Sequence, residues 1–384
     1  MELTSWELLT LLSLATLGCL AATVRLWPRV AAARPGAVAA RAGLLIGCQV
    51  VLILTLIVGL NGYYLFYGTW HDLLGAAGGK VRTEQGRRPP APPNAAVASQ
   101  VVRKVAAELD PGAAGRTGHA DPARDGQVEH LAIHGVRTGI DAESYVYLPP
   151  QYFQPGFAAR RFPVALFIAG YPASDRLTWI DKGHLPEEAA RAQAAGRAQP
   201  MIYVMMRPTV KDGWDTECAD VPGGPKVETF FAQDVPEAIA GTYRTPRSAK
   251  GWGVAGYSTG GYCAAKLAML HSDRFSAAAN MAGHFHALLD TTTRDLYNGS
   301  PALRRSSNLI WRLQNLPQPP LSILVASADV GENTFPSAQR FMRAARPPLV
   351  VDTVLLPTGG HNFKTFRKYI PPTVQWLSAQ LRGE

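Results

Sequence analysis

Charge is what this sequence has least of. Only 17% of its 384 residues are Asp, Glu, Lys or Arg, against 47% that are hydrophobic. The shortage is local: residues 8–24 carry no charged side chain, and neither do residues 42–70. A helix needs ~20 apolar residues to cross a bilayer core. The second run exceeds that length, and the first lies near its lower limit, bracketed by Trp6 and Trp27 as by an aromatic belt. The N-terminus also lacks a base. Its first seven residues hold two acids, Glu2 and Glu7, and the first basic residue is Arg25. A cleaved signal peptide begins with a basic segment, so a retained membrane hairpin is the expectation and a cleaved signal the alternative.

Acids are missing between the two runs, where Arg25, Arg29, Arg34 and Arg41 stand alone. Short loops rich in Lys and Arg stay in the cytoplasm, which sends both ends of the hairpin outward and places the larger C-terminal part on the extracytoplasmic side. Cysteine is scarce as well, with four in the chain, too few for a disulfide-built scaffold. Cys19 and Cys48 lie in the apolar runs and act as small apolar residues. Cys218 and Cys263 lie in the soluble part, where an oxidising compartment permits a disulfide; two separate buried thiols are the alternative. No internal repeat is present. No basic patch interleaved with aromatics argues for nucleic acid, although the formal net charge is +9. Part of that charge falls in a Pro/Ala/Gly-rich stretch that includes Arg87-Arg88-Pro89-Pro90 and reads as a linker. The expected organisation is a membrane hairpin over 1–70, a linker over 71–126 and a catalytic domain over 127–384.

From Gln127 onward the texture changes to short apolar runs alternating with helical spacings. Strands are expected at 130–136, 143–148, 162–169, 201–206, 251–255, 276–281, 321–326 and 349–356. Helices are expected at 228–243, from the serine stretch to about Leu270, at 336–345 and at 363–381. Strands alternating with helices over this length imply an α/β fold, a mostly parallel sheet covered on both faces. Sites in such sheets lie at the C-terminal ends of the strands.

One of those ends reads Gly256-Tyr257-Ser258-Thr259-Gly260-Gly261-Tyr262. A G-x-S-x-G stretch between a strand and a helix is a nucleophile elbow, a strained turn that lifts the serine hydroxyl above the sheet. The turn is tight enough to demand small flanking residues, which Gly256 and Gly260 supply. A serine hydroxyl needs a base, and the base an orienting acid. Past the strand at 321–326 come Asp329 and Glu332, the first preferred as the acid and the second its rival. Past the last strand, Gly359 and Gly360 precede His361, the expected base. The oxyanion donors are expected to be the backbone N–H groups of Thr259 and Tyr171; Pro172 has none to give.

Other features carry less. His284 and His286 flank Phe285 with no third ligand in view, so pocket lining rather than metal binding is expected. Trp214 to Cys218 are expected to shape the pocket, residues 175–179 to roof it, and the Pro-rich segment 300–320 to act as a lid.

The soluble part resembles the putative esterase family of α/β-hydrolases, which includes esterase D-like enzymes and secreted mycolyltransferases. The resemblance rests on G-Y-S-T-G-G-Y-C-A at 256–264, H-S-D-R-F at 271–275 and G-G-H-N-F at 359–363, and it covers residues 127–381. It implies Ser258 as nucleophile, His361 as base, and the Tyr171 and Thr259 amides as oxyanion hole. In the family the acid position varies, which keeps Glu332 in play beside Asp329. The expected activity is that of a membrane-anchored serine esterase or acyltransferase acting on an ester or acyl-lipid substrate, with no cofactor. Acyl transfer to an envelope sugar or lipid hydroxyl is the first alternative. A catalytically silent hydrolase fold serving as an envelope binding module is the second.

Overall fold

The computed structural model describes residues 5–64, 70, 82–84, 102–104, 121–172 and 177–384. Most of the expected linker, 71–126, and residues 175–176 of the expected roof lie outside the described residues. The chain divides into two compact units. One comprises residues 1–80 with the segments 328–333 and 356–362; the other comprises 81–327, 334–355 and 363–384.

The first unit contains two long apolar helices, α1 (Trp6–Leu26) and α2 (Pro35–Tyr64). Ser5 caps α1 by accepting the Leu8 N–H, and Pro35 opens α2, at a position where its missing N–H costs nothing. Both helices are long and apolar enough to cross a membrane. The 30 residues of α2 make it about 45 Å long. The hydroxyls of Thr16 and Thr55 meet at 2.8 Å between the helices, and Thr55 also reaches the Leu12 carbonyl at 3.2 Å. Most of the apolar side chains remain exposed, among them Leu14, Leu17, Ile46 and Leu56. From α2, Arg41 reaches back to the connection between the helices, where it bonds to the Ala32 carbonyl and lies over the Trp27 ring.

The second unit is built on a ten-stranded sheet, with residues 328–330 and 356–358 of its strands counted in the first unit. Its strands are β1 (Arg82–Glu84), β2 (Val102–Lys104), β3 (Gln127–His134), β4 (Asp141–Leu148), β5 (Val164–Ile168), β6 (Ile202–Met206), β7 (Trp252–Tyr257), β8 (Ala277–Met281), β9 (Ser322–Val330) and β10 (Val350–Thr358). They lie in the order β1-β10-β9-β8-β7-β5-β6-β4-β3-β2. The run β6-β5-β7-β8-β9 is parallel, while β4 joins β6, and β3 joins β4, antiparallel. Every residue of β5, β6, β7 and β8 is buried. That explains their unbroken apolar reading: a parallel sheet covered on both faces leaves no strand face for polar side chains.

Helices α3 (Leu185–Ala194), α4 (Val235–Thr242), α5 (Thr259–Leu270), α6 (Pro301–Ser306), α7 (Leu309–Asn315), α8 (Phe335–Ala344) and α9 (Phe363–Gln380) complete this unit. Helix α9 and the residue after it press on the sheet closely enough that a Cβ on Gly253 of β7 would meet Leu377 and Leu381 at 3.0 and 3.1 Å. The segment 300–320 forms α6 and α7, and α7 buries Leu309 and Leu313 in the main core. Strand β9 runs to Val330, four residues beyond the expected end, and α5 starts at Thr259 directly after the serine.

Candidate active site

Ser258 has φ 55° and ψ −126°, a conformation that costs free energy in a residue with a side chain. It follows β7 without an intervening residue, and its carbonyl accepts the Gly261 and Tyr262 N–H groups that open α5. Its own N–H donates to the Met281 carbonyl of β8 at 3.0 Å. The turn survives because its neighbours are bare. A Cβ on Gly260 would lie 2.0 Å from the Ile168 carbonyl oxygen, and one on Gly256 would lie 2.3 Å from the Gly260 carbonyl. The motif's two glycines are therefore fixed by contact between the elbow and β5, not by turn geometry alone.

The loop after β5 passes against the same serine. A Cβ on Gly170 would meet the Ser258 Cβ at 2.9 Å and the Tyr257 ring at 2.7 Å. Tyr171 is the next residue, and the Thr209 hydroxyl holds the Pro172 carbonyl at 3.1 Å. Beneath the elbow Tyr257 sits in an aromatic cluster, with ring centroids 5.2 Å from Trp179, 5.0 Å from Phe363 and 4.8 Å from Phe366. Ser258 thus follows a tyrosine packed among aromatic rings while remaining partly exposed itself.

In the other unit, His361 Nδ1 lies 3.0 Å from Glu332 Oε1. The Glu332 side chain is fully buried and the His361 side chain 22% exposed. A carboxylate accepting from Nδ1–H fixes the tautomer that keeps the lone pair on Nε2, the arrangement of a general base. Asp329, preferred from sequence, does not follow the strand but lies within it, one residue before the end of β9. Glu332 is the acid that stands past the strand end, two residues after it. The Gly359 N–H donates to the Val330 carbonyl and ties the histidine loop to the segment that carries Glu332.

Cys218 and Cys263 are joined by a disulfide, with Cα atoms 5.5 Å apart. The bond links the loop after β6 to α5, the helix that starts at the elbow. Sequence reasoning missed what this bond accompanies. Four residues before Cys263, the Thr259 hydroxyl donates to Asp215 Oδ2 at 2.9 Å. Three residues after Cys263, the buried Lys266 ammonium donates to the Cys218 carbonyl at 2.7 Å. The signal was the cysteine pair: joining 218 to 263 brings their flanking residues Asp215 and Thr259 near each other as well. Burial pushes the Asp215 carboxyl up to about 6, opposed by bonds from the Glu217 N–H and the Thr259 hydroxyl. Burial pushes Glu217 well above the usual range too, and Asp215 nearby adds to this. His284 and His286 have ring centroids 5.2 Å apart. Burial lowers His286, with Arg340 and Arg304 adding to the effect.

A doubly wound, mostly parallel sheet with a strained serine at the tip of a central strand defines an α/β-hydrolase. The family model "Putative esterase" matches residues 136–335, and the chain belongs to that family. An uncharacterized protein of Corynebacterium glutamicum is 23% identical over 265 residues, which cover 63% of this chain and 58% of that protein, so the chain spans little more than half of that relative's length. Among solved structures, a ferulic acid esterase aligns with TM-score 0.56 at 19% identity, covering 67% of this chain and 99% of its own. An S-formylglutathione hydrolase from Agrobacterium tumefaciens aligns with TM-score 0.56 at 14% identity over 68% and 98% of the two chains. The fluorophosphonate-binding serine hydrolase F of Staphylococcus aureus aligns with TM-score 0.52 at 15% identity over 66% and 98%. At these identities the likeness is one of fold.

Proposed function

We propose that this chain is a membrane-anchored serine esterase or acyltransferase in which Ser258 is the nucleophile, His361 the general base and Glu332 the acid that orients it. The observation that carries this reading is the backbone of Ser258, which holds a positive φ at a strand–helix junction closed by Gly256 and Gly260. A fold keeps such strain only where something is gained by it. The Glu332–His361 hydrogen bond supports the other two roles, and so does the chain order of serine, acid, histidine.

In this mechanism His361 Nε2 takes the Ser258 hydroxyl proton as Oγ attacks an ester carbonyl. Glu332 stabilises the imidazolium that forms. The Thr259 N–H at the start of α5 and the Tyr171 N–H donate to the oxyanion, and the positive end of the helix adds to their effect. The tetrahedral intermediate collapses as His361 returns the proton to the leaving alkoxide, leaving an acyl-serine. Water or an acceptor hydroxyl, deprotonated by the same histidine, then attacks the acyl-serine and releases Ser258.

The two apolar helices serve as spans in this reading. Four arginines and no acid between residues 25 and 41 support a cytoplasmic connection, and with it a catalytic part on the far side. The Cys218–Cys263 disulfide supports an oxidising compartment. The reading is tested on the full chain in a neutral detergent with a fluorophosphonate probe and intact-mass detection. A single adduct on the wild type that is absent from Ser258→Ala supports it; a folded wild type that takes no adduct overturns it. A C-terminal reporter that is active only in the cytoplasm would overturn the orientation.

A further inference from the structure

Asp215 is a buried acid that the chemistry above leaves unused. It lies in the loop after β6, with 5% of its surface exposed, and three bonds fix it. Its N–H donates to the Thr292 carbonyl at 3.1 Å, its Oδ1 accepts the Glu217 N–H at 3.1 Å, and its Oδ2 accepts the Thr259 hydroxyl at 2.9 Å. Thr259 is the first residue of the elbow helix, and its amide is the oxyanion donor in the reading above.

Resting on that reading, we propose that Asp215 is a positioning residue that aims the Thr259 N–H by holding the Thr259 side chain. The attachment is part of a larger splint. The loop meets α5 at Thr259, at Cys263 through the disulfide and at Lys266 through the Cys218 carbonyl. These positions are four and three residues apart, which places them on one face of the helix. The loop therefore runs along α5 for its first two turns, and Asp215 holds the end nearest Ser258. Residues Glu217 and Cys218 both take positive φ, 47° each, to follow this path. A second loop braces the first, through the Leu288 N–H to Glu217 Oε1 and the Trp214 indole N–H to the Thr293 carbonyl.

Holding the first turn of α5 matters because an oxyanion donor works only when aimed before the charge develops. The Thr259 hydroxyl has no role in attack or proton transfer, so its bond to Asp215 acts on the rate through the amide of its own residue. An asparagine at 215 has one acceptor oxygen where two donors need serving. Asp215→Asn therefore sets the Thr259 hydroxyl and the Glu217 N–H in competition. Thr259→Val removes the same bond from the other side at almost constant shape.

The experiment is steady-state hydrolysis of a p-nitrophenyl ester by the full chain in detergent, with the rate of fluorophosphonate labelling and the melting temperature measured beside it. Variants are Asp215→Asn, Thr259→Val, the pair together and Thr259→Ser. The expected result is a kcat about tenfold lower in each single variant, less than the ~10²–10³ lost when a donor is removed outright. KM stays unchanged, because the donor acts on the transition state. The double variant loses no more than the worse single one, and Thr259→Ser, which keeps the hydroxyl, loses clearly less kcat than Thr259→Val. A reactive wild type with Asp215→Asn or Thr259→Val at full kcat overturns this inference alone, as does a loss confined to KM or a double variant whose losses multiply. A wild type inert to the probe overturns the Ser258 reading and this inference with it.

Discussion

Glu332 Oε1 lies 3.0 Å from His361 Nδ1, and the carboxylate that makes this contact has a fully buried side chain. A buried carboxylate is costly unless something nearby uses its charge. In the proposed mechanism, the His361 imidazolium does so. The two acids of this segment can thus be told apart by one substitution each. Glu332→Gln keeps the volume and removes the charge, and it is expected to lower kcat by about 10² or more, as when the orienting acid of a triad is neutralised. Asp329→Asn, in the body of β9, is expected to leave kcat close to wild type. Steady-state ester hydrolysis of both variants decides between them, and a reversed pattern returns the acid role to Asp329.

The elbow makes a prediction about stability rather than rate. Gly260→Ala would set a Cβ 2.0 Å from the Ile168 carbonyl oxygen, with the Ala169 carbonyl oxygen 2.5 Å away on the same side. Neither neighbour can rotate aside, because both are backbone. Overpacking of this kind costs roughly 1–3 kcal/mol and more where the backbone itself must shift. The expected outcome is a melting temperature several degrees below wild type, together with loss of probe labelling as the elbow opens. Gly139→Ala makes a useful comparison. Gly139 has φ 68° but nothing within 4 Å of its added Cβ, so only the conformational cost remains and labelling is expected to persist.

These glycines show how much of the site was legible beforehand. The strand–serine–helix pattern located Ser258 because its demands are local: small residues, an apolar run before, helical spacing after. The strands with two buried faces were legible for the same reason, since β5 and β6 are uninterrupted apolar runs. The end of β9 was not. Ser327 and Asp329 are polar and read as loop, yet β9 continues to Val330, so Asp329 falls inside the strand rather than past its end. The Asp215–Thr259 bond was hidden for a different reason. It joins residues 44 positions apart, and only the Cys218–Cys263 pairing marks the two segments as neighbours. Long-range pairing of polar side chains leaves no period in the sequence.

The buried lysine of α5 sets up a third test. Lys266, 1% exposed, has its ammonium 3.1 Å from Glu228 Oε2, and Glu228 Oε1 lies 3.0 Å from His271 Nε2. Burial opposes the Glu228 charge, but the His271 hydrogen bond and the Lys266 charge outweigh it and pull the carboxyl down to about 2. Glu228→Gln leaves a buried ammonium without its carboxylate, a change that typically costs 3–5 kcal/mol. A group whose folded pKa is lowered contributes stability that is present above its unfolded value near 4.5 and lost as pH falls toward 2. The variant is therefore expected to melt well below wild type at pH 7, with the gap narrowing as pH is lowered from 4.5. Paired thermal melts across that range measure it; a gap independent of pH would deny the ion pair this role.

Asp215 reverses that sign. Its folded pKa is raised, from 3.8 to about 6, chiefly by burial. Below pH 3.8 the carboxyl is neutral in both folded and unfolded chains and costs nothing. Between about 4 and 6 the unfolded chain releases the proton while the folded chain keeps it, so the folded state loses ground as pH rises. Above 6 the cost is complete, and a shift of this size amounts to roughly 3 kcal/mol. The Asp215→Asn variant carries no such charge and also lifts the repulsion that Asp215 exerts on Glu217, so the Glu217 contribution adds to the difference between the two proteins. Wild type is expected to lose melting temperature relative to Asp215→Asn as pH rises from 4 to 6. A wild type that gains on the variant over the lower range would mean that the Thr259 hydroxyl and the Glu217 N–H stabilise the carboxylate by more than its burial costs, and that the charge itself is what keeps the splint in place.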